Sequence, residues 1–434
     1  MIKILLVVTL IEGMILGPLQ VGSTFDEDIY SIFFAVVNFF IILFVLAREK
    51  LPVWFYKVIS IVYSIKILLL IFMYFNVDTV MNALSIWDVY AFYQPQAIDY
   101  IHGNTDVQTY SKIVANIYMI FGPFMRIPVF YNISVSLLAD VFFFKTLVEL
   151  RVTTQNIKLF TLVFMLLPWR NVLSMFMLKE AIPTFLIVVS IYFFIQWWNK
   201  RKSISFLYAI ISSTASMAFH SGLIAVPIVM MLSYILYDPS KNQWIFGFKA
   251  MNKLIAVVLL GGLVFIAFGD TILYKFAMIS SGDEVALSEW SDTIINGAQS
   301  HYLTNFSYTS FSDIILQAPL RMLYFLLSPM PWDWRGISDI LAFAIDSSVQ
   351  LWGISIIFKR IRRLSDQYKR IIKVMLCMYI LSALIFGAGT FDAGTAMRHR
   401  AKFTSILLMI AAVCIASKKQ TASISIKHLP DNVI

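Results

Sequence analysis

The sequence predicts an all-α, polytopic integral membrane protein with about twelve transmembrane helices. Hydrophobic residues make up 59% of the 434 residues and charged residues only 14%, whereas a soluble domain is usually about 45–50% apolar. Apolar segments long enough to cross the roughly 30 Å hydrocarbon layer recur from one end of the sequence to the other. These observations exclude a soluble domain held by a single membrane anchor.

Charged turns predict the orientation of the first three spans, which are Ile2–Val21, Tyr30–Leu46 and Trp54–Phe75. An acidic turn follows the first span and a basic turn follows the second. Because positive residues stay on the inner side, the N-terminus is predicted to be cytoplasmic. Lys66, within the third span, must snorkel or face the bundle interior. A polar and aromatic outer loop then covers residues 76–111, longer than a connector needs to be.

Two apolar segments are predicted to be re-entrant or interfacial helices. They are Lys112–Phe121 and Ile314–Leu327. If either crossed the membrane, a strongly basic connector later in the chain, 200–202 or 359–370, would lie outside, against the positive-inside rule.

Nine further segments are predicted to cross, and they leave the C-terminus in the cytoplasm. We therefore expect one transmembrane domain over 1–417, a second outer loop over 270–312 and a cytoplasmic tail over 418–434. The nine spans are Asn132–Leu150, Ile157–Leu167 with its extension, Ala181–Trp198, Ser205–Ala218, Gly222–Tyr237, Leu254–Phe268, Ile337–Phe358, Ile371–Gly387 and Phe403–Ile415.

The stretch Pro168–Pro183 places charges between two apolar runs and is therefore a candidate site. It carries Arg170, Lys179 and Glu180. Since a charge at mid-bilayer costs roughly 3 kcal/mol or more, this stretch must emerge into water or line a wet cavity. The structural alternative is a solvated hairpin turn with interfacial charges.

Several more cations are predicted on the outer side. A guanidinium binds phosphate bidentately and keeps its charge at any working pH, which suits a diphosphate. Arg321 lies inside an apolar segment and requires a partner, either a bound anion or a carboxylate in an internal salt bridge. Arg398 and Arg400 either face the site or snorkel to lipid headgroups. The full set is Arg126, Arg170, Lys179, Arg321, Arg335, Arg398 and Arg400.

Two residues are candidates for a general base. His220 at an outer helix start is one, with a hydrogen-bonded structural histidine as the alternative. Asp88 in the first outer loop is the other, beside Tyr90 and Tyr93, which either stack on sugars or form an interfacial aromatic belt. The sequence has no zinc spacing, P-loop or dinucleotide fingerprint, so we expect no metal and no cofactor. The net charge of +9 is largely topogenic and does not imply nucleic acid.

The arrangement of these motifs resembles bacterial O-antigen and exopolysaccharide polymerases of the Wzy/EpsG type, which are distantly similar to integral membrane glycosyltransferases of the GT-C class. The resemblance covers most of the chain as an arrangement. It is carried by two long outer loops and by Trp169-Arg170, Lys179-Glu180, Phe219-His220-Ser221, Arg321 before Pro329-Met-Pro-Trp332, and Arg398-His-Arg400.

The resemblance implies an enzyme of the bacterial cytoplasmic membrane that joins oligosaccharide repeat units linked to undecaprenyl diphosphate on the outer face. The lipid-linked oligosaccharide and membrane lipids would be its partners, with a chain-length regulator as a further candidate. Direct displacement is the expected mechanism, with the arginines neutralising the leaving diphosphate and His220 or Asp88 as the base.

Three alternatives stay open at this point. A glycosyltransferase of the GT-C class would use a polyprenyl-phosphate sugar, with Asp88 as its base. An O-antigen ligase is close to it in chemistry. A lipid-linked oligosaccharide flippase or another transporter belongs to a different class, although transporters usually show two matched halves.

Overall fold

The computed structural model describes residues 51–75, 89–238 and 300–420, together with a few positions between 37 and 49 and between 243 and 292. The predicted spans Ile2–Val21 and Leu254–Phe268, most of Tyr30–Leu46 and the tail after residue 420 lie outside the described residues.

The described chain is almost entirely helical. Its α-helices are α1 Val53–Phe75, α2 Gln94–Ile101, α3 Thr109–Phe121, α4 Arg126–Glu149, α5 Thr154–Leu166, α6 Pro168–Ser174, α7 Ala181–Lys200, α8 Ser203–Met217, α9 Ala225–Leu236, α10 Phe311–Leu327, α11 Ile337–Ala342, α12 Ser348–Arg360, α13 Asp366–Ala388, α14 Ala393–Ala401 and α15 Thr404–Gln420. Two π turns, Val89–Tyr93 and Phe343–Ser347, and three 3₁₀ turns, Ser221–Ile224, Pro331–Asp333 and Ile361–Arg363, lie between them. Two short strands, β1 Tyr237–Asp238 and β2 Gln243–Trp244, pair antiparallel.

The lengths of these helices confirm a multi-pass membrane protein. Among the described residues, five helical stretches are long and apolar enough to cross a membrane, namely Val53–Leu70, Arg126–Glu149, Ala181–Lys200, Ile337–Arg363 and Asp366–Ala388. Two further pairs, α5 with α6 and α14 with α15, pass the same test as spans bent by 50° and 61°. The count of twelve spans and the cytoplasmic termini stay predictions.

Both segments predicted to be re-entrant form short helices. Helix α3 has 13 residues and α10 has 17. At 1.5 Å per residue these helices measure about 20 Å and about 26 Å, less than the roughly 30 Å of the hydrocarbon layer. Helix α3 ends at Gly122, whose φ of 93° a side chain would strain. Their depth in the membrane stays a prediction.

Part of the first predicted outer loop is helical. The π turn Val89–Tyr93 runs directly into α2, and α3 begins at Thr109. Pro95 lies in the first turn of α2, where a missing N–H costs no hydrogen bond. This region is therefore folded structure that carries buried side chains, including Ala97 and Tyr110.

The chain divides into two compact units. The first takes its described residues from Met1–Phe142 and Thr161–Phe185, and the second from Phe143–Phe160 and Leu186–Thr421. Each unit has its own buried apolar residues and its own buried ion pair. The candidate site residues therefore fall into two groups, one in each unit.

Helices α10 and α13 of the second unit are in close backbone contact at Gly387. A β-carbon at Gly387 would lie 2.9 Å from the Cα of Met322 and 3.0 Å from its backbone nitrogen. These are backbone atoms, so neither helix can yield by a side-chain rotation. The hydrogen atom of Gly387 is thus what allows α10, with Arg321 beside this contact, to lie against α13.

We predict that Gly387→Ala destabilises the protein by about 1–3 kcal/mol, the usual cost of overpacking. Gly389→Ala is the matched control, because a β-carbon there meets only the Ile385 carbonyl oxygen at 3.9 Å. Thermal unfolding in detergent micelles measures both. Equal unfolding midpoints for the two variants would contradict the close approach.

The predicted orientation gives a second test. Asn104 and Ser365 are both exposed, and the sequence places them outside and inside, respectively. In a background with Cys377 and Cys414 replaced by Ser, we expect cysteine at Asn104 to react with an impermeant maleimide on spheroplasts and cysteine at Ser365 to stay unlabelled. Cysteine at Gly297, which lies outside the described residues, is expected to react like that at Asn104. Labelling at Ser365 would reverse the orientation.

Candidate functional site

The candidate site of the second unit forms around the turn that joins α13 to α14. The Tyr308 hydroxyl donates to the Ala388 carbonyl at 2.8 Å, and the Tyr302 hydroxyl donates to the Thr390 carbonyl at 3.1 Å. The side chain of Asp392 accepts the Thr395 N–H at 2.8 Å and so caps α14. The turn is therefore held in one conformation by two tyrosines of the segment that precedes α10 and by its own aspartate.

Helix α10 brings Arg321 to this turn. Ser310 and Asp313 form a reciprocal capping box that starts the helix. Hydrogen bonds donated by the side chain and backbone of Thr309, and by Ser310, lower the pKa of Asp313, so the cap is ionised at neutral pH. Arg321 follows two turns later, where it is fully buried.

The Arg321 guanidinium lies between two aromatic rings. Its Cζ is 4.4 Å from the ring centroids of both Tyr308 and Phe391. Its Nε donates to Gln317 Oε1 at 3.0 Å, and its Nη2 donates to the Phe306 carbonyl. Burial raises the pKa of Tyr308 to about 12, against an opposing effect of the Arg321 charge, so Tyr308 stays a neutral phenol.

One donor of Arg321 has no partner. Its Nη1 is buried and makes no hydrogen bond within the described residues, and no carboxylate in that part of the chain pairs with it. The salt-bridge alternative for Arg321 is therefore absent among the described residues. A buried cation with an unused N–H and two flanking π faces suits an anionic oxygen.

His220 and His399 form a pair near the same turn. Their Nε2 atoms are 3.1 Å apart, and the Phe386 ring lies 4.6 Å from the His220 ring. Because His220 Nδ1 accepts the Gly222 N–H at 3.3 Å, we assign its proton to Nε2, which donates to His399. The protonated Nδ1 of His399 then faces the Thr390 hydroxyl at 3.4 Å.

This arrangement restricts His220 as a base. In the assigned tautomers the lone pairs of both rings are already used. A further proton on His220 would have to bind Nδ1, which already accepts the Gly222 N–H, and a proton on His399 Nε2 would place two N–H groups face to face at the 3.1 Å contact. His220 can therefore accept a proton only after its contact with the Gly222 N–H opens.

Of the two arginines on α14, Arg400 is used entirely within the fold. It is fully buried, and its Nε donates to Asp346 Oδ2 at 2.6 Å. Its remaining N–H groups bind the carbonyls of Phe325 and Leu326, Ser347 Oγ and Asp346 again. With all five donors occupied, Arg400 has none left for a diphosphate.

Arg398 is only partly buried. Residues at i and i+2 point to different sides of a helix, so Arg398 and Arg400 cannot both face one ligand. Snorkelling is wrong for Arg400, because that side chain is buried. Arg398 is thus the α14 arginine whose position is compatible with ligand binding.

The first unit contains a separate buried polar centre. Arg170 Nη2 lies 2.7 Å from Asp140 Oδ1, and both side chains are buried. Lys66 Nζ, also buried, lies 2.8 Å from Ser136 Oγ and 2.8 Å from Ser174 Oγ. Of the two alternatives for Lys66, the one that faces the bundle interior is correct.

The charges of this centre balance without Lys66. Arg170 and Asp140 neutralise each other, and the described residues offer Lys66 two acceptors, Ser136 and Ser174. Arg170 also donates to the Ser136 and Phe164 carbonyls, so we interpret it as a structural residue.

The solvated-turn alternative for Pro168–Pro183 is wrong at its centre. Arg170, Glu180 and the backbone between Ser174 and Leu178 are buried. Asn132 Nδ2 binds the Phe176 and Leu178 carbonyls, each at 2.8 Å, and so replaces water for a stretch that lacks helical hydrogen bonds. Lys179 is partly buried and donates to Gln108 Oε1 at 3.1 Å.

The remaining predicted site residues lie elsewhere. Arg335 is exposed and pairs with Asp339 one turn later, at 3.1 Å. Asp88 lies outside the described residues. Tyr93 is buried edge-to-face against Tyr110, with ring centroids 5.1 Å apart, so it offers no open face to a sugar.

The acids that pair with the buried arginines were missed. Asp140 and Asp346 each lie inside a predicted span, and a lone acid in an apolar run is itself a signal of a buried partner. Tyr302, Tyr308 and Phe391 carried no such signal, because aromatic residues are frequent throughout this sequence.

No protein-family model, curated protein or solved structure matches this chain. Roles are therefore assigned from the contacts of the chain itself. Within the second unit, the turn between α13 and α14 gathers Arg321 and the His220–His399 pair, and Arg400 fixes the helix after that turn.

We predict that Asp346→Asn destabilises the protein by about 3–5 kcal/mol, because it leaves Arg400 charged and unpaired in an apolar interior. Asp339→Asn removes an exposed pair and should change stability by no more than about 1 kcal/mol. Unfolding midpoints in micelles and abundance in the membrane compare the two variants. A midpoint for Asp346→Asn no lower than for Asp339→Asn would show that the buried pair does not stabilise the fold.

Proposed function

We propose that the protein is a membrane glycosyltransferase that polymerises oligosaccharide repeat units linked to undecaprenyl diphosphate on the outer face of the bacterial cytoplasmic membrane. The observation that carries this proposal is Arg321, a buried guanidinium held between two aromatic rings with one donor unused. An arginine in this condition suits a ligand with anionic oxygens, and a lipid diphosphate is such a ligand at a membrane surface.

The reaction is a direct displacement. A hydroxyl of the acceptor repeat unit attacks the anomeric carbon of the donor, and undecaprenyl diphosphate leaves with the bonding electron pair. Arg321 neutralises the charge that develops on the diphosphate, and Arg398 on α14 assists it. Arg400 is a positioning residue, since it holds α14 through Asp346 without reaching the ligand.

The sequence suggested His220 and Asp88 as candidates for the base. His220 serves only if substrate displaces the Gly222 N–H from its Nδ1. Arg170, Lys179 and Arg335 are not part of this proposal, because Arg170 is paired with Asp140, Arg335 with Asp339 at the surface, and Lys179 contacts Gln108 in the first unit.

The alternatives differ in which intermediate accumulates when the gene is deleted. Lipid-linked single repeat units with no polymer are expected of a missing polymerase. A missing ligase would leave lipid-linked polymer, a missing flippase would leave single units on the inner face, and a missing monosaccharide transferase would leave incomplete units. Gel analysis of surface polysaccharide, with extraction of the lipid-linked pool, separates these cases.

We expect Arg321→Lys to lower polymer formation about 10²–10³-fold, the usual loss of rate when one strong hydrogen-bond donor to the transition state is removed. An ammonium cannot reproduce the paired N–H groups of the guanidinium. Arg321→Gln should have at least this effect. Arg362→Lys is the matched control, since Arg362 is exposed and lies on the predicted cytoplasmic side. Surface polymer is measured together with protein abundance in the membrane, which separates lost chemistry from lost folding.

Normal polymer from Arg321→Lys and Arg321→Gln at normal abundance would overturn the proposal. Arg321 would then be a structural cation stabilised by Tyr308 and Phe391 alone. Loss of polymer with all three variants, including Arg362→Lys, would point to a general sensitivity of the chain and would equally count against a specific role for Arg321.

A further inference from the structure

The loop between α10 and α11 carries an acid that the reaction has not used. Asp333 lies at the end of the 3₁₀ turn Pro331–Asp333, and its backbone N–H donates to the Met330 carbonyl at 2.9 Å. Its carboxylate oxygen Oδ2 is buried and has no hydrogen-bond partner among the described residues. Leaving a buried acceptor unpaired costs about 1–3 kcal/mol, and more when the group is charged. An unpaired buried acceptor calls for an explanation, and a ligand that completes the hydrogen bond is one.

The neighbouring Trp332 presents an aromatic face. Its side chain is highly exposed, at 70%. Its indole N–H donates to the Tyr324 hydroxyl at 3.1 Å, which fixes the orientation of the ring. A tryptophan of an interfacial belt turns its N–H toward headgroups or water, whereas here the N–H is satisfied within the protein. The exposed part of Trp332 is therefore its apolar ring face.

An aromatic series links this loop to the candidate site. Tyr302 and Tyr324 have ring centroids 5.4 Å apart, and Tyr324 and Trp332 have centroids 6.4 Å apart. Tyr302 binds the turn between α13 and α14 through Thr390. Tyr324 lies three residues after Arg321 on α10, which is about one helical turn. Trp332 and Asp333 thus lie in the loop that follows the helix carrying the arginine, and Trp332 contacts that helix through Tyr324.

We propose that Trp332 and Asp333 form the acceptor subsite, in which Trp332 stacks on a sugar ring of the acceptor repeat unit and Asp333 is the general base. This inference rests on the proposed function and replaces His220 and Asp88 in the base role. Pyranose rings present C–H faces that stack on exposed aromatic rings, and a carboxylate accepts the hydroxyl proton.

The geometry of displacement requires the base to stand apart from the phosphate ligand. The attacking hydroxyl approaches the anomeric carbon from the side opposite the leaving diphosphate. A base at the end of the aromatic series and a guanidinium at Arg321 satisfy this separation, whereas a base in contact with Arg321 would not. Burial raises the pKa of Asp333, while Arg335 lowers it and Asp339 raises it, so its proton affinity is above that of an ordinary carboxylate.

The step balances without any further reactant. The acceptor O–H bond breaks and its proton moves to a carboxylate oxygen of Asp333. The acceptor oxygen forms the new bond to the anomeric carbon. The bond between that carbon and the diphosphate oxygen breaks, and its electron pair leaves with undecaprenyl diphosphate, whose added negative charge faces Arg321.

The test compares Asp333→Asn, Trp332→Ala and Trp332→Phe with Arg321→Gln and with the matched control Asp366→Asn. Asp366 is an exposed acid on the predicted cytoplasmic side. Membranes that contain each variant receive lipid-linked single repeat units extracted from cells lacking the protein. The measurements are the turnover rate and the apparent KM for these units, the dependence of the rate on pH, and the abundance of each variant.

We expect Asp333→Asn to lower turnover about 10²–10⁴-fold, the usual contribution of a general base, with little change in KM. The wild-type rate should fall as the pH is lowered, because Asp333 becomes protonated. The residual rate of Asp333→Asn should not show this fall. Trp332→Ala should raise KM about tenfold, which corresponds to the loss of one aromatic contact. Trp332→Phe keeps an aromatic ring, so its KM should be close to that of the wild type. Asp366→Asn should behave as wild type.

Three outcomes overturn the inference. Near-normal turnover with Asp333→Asn, while Arg321→Gln is inactive, would remove Asp333 as the base and leave the proposed function intact. An unchanged KM with Trp332→Ala, which is exposed and should not unfold the protein, would remove the stacking platform. Normal turnover with Arg321→Gln would instead overturn the proposed function, and the acceptor subsite with it.

Discussion

A charged side chain in an apolar interior must find a partner, and this constraint fixes the second unit. Arg400 meets it with Asp346, with Ser347 and with two carbonyls at the end of α10. One side chain thus ties α14 to the end of α10 and to the π turn before α12. The same contacts satisfy helix-end carbonyls, which would otherwise lack partners. The position of the turn between α13 and α14 depends on this connection.

Arg321 and Arg400 are both buried cations of the second unit, and they are stabilised in different ways. Arg400 has all five donors bound and a carboxylate at 2.6 Å. Arg321 is stabilised by two ring faces, an amide oxygen and a carbonyl, and keeps its full charge without a counter-ion among the described residues. The aromatic faces compensate part of the desolvation cost and leave the charge available. A buried cation of this kind is less stable than an ion pair, which is consistent with a role outside stability.

The sequence was sufficient for the fold class, because span length and apolar composition depend on the membrane more than on tertiary contacts. It also identified Arg321 as unusual, since a cation in an apolar segment is improbable without a purpose. It could not distinguish Arg321 from Arg170 and Arg400, because all three look alike until their acids are placed. Asp140 and Asp346 are distant in sequence from the arginines that they neutralise, and no spacing rule connects them.

The sequence also did not distinguish buried from exposed aromatic residues. Tyr93 and Trp332 both lie in predicted outer regions, yet one is buried against Tyr110 and the other exposes a ring face. The difference depends on how α2, α3 and the loop after α10 pack, which hydropathy does not record. The burial of one carboxylate oxygen of Asp333 is likewise a tertiary property.

The π turn Phe343–Ser347 has a consequence for how this chain tolerates length changes. A π turn holds one residue more than an α-turn, and each added residue rotates the rest of the helix by about 100° around its axis. Asp346 and Ser347 face inward at this point, and Gln350 and Gly353 continue the same buried stripe along α12. Deleting a single residue here would keep the helix and its apolar composition intact but would turn either the ion pair or this stripe toward the lipid. The number of residues in this π turn therefore determines which face of α12 is buried. In homologous chains we would expect substitutions here to be tolerated more readily than insertions or deletions.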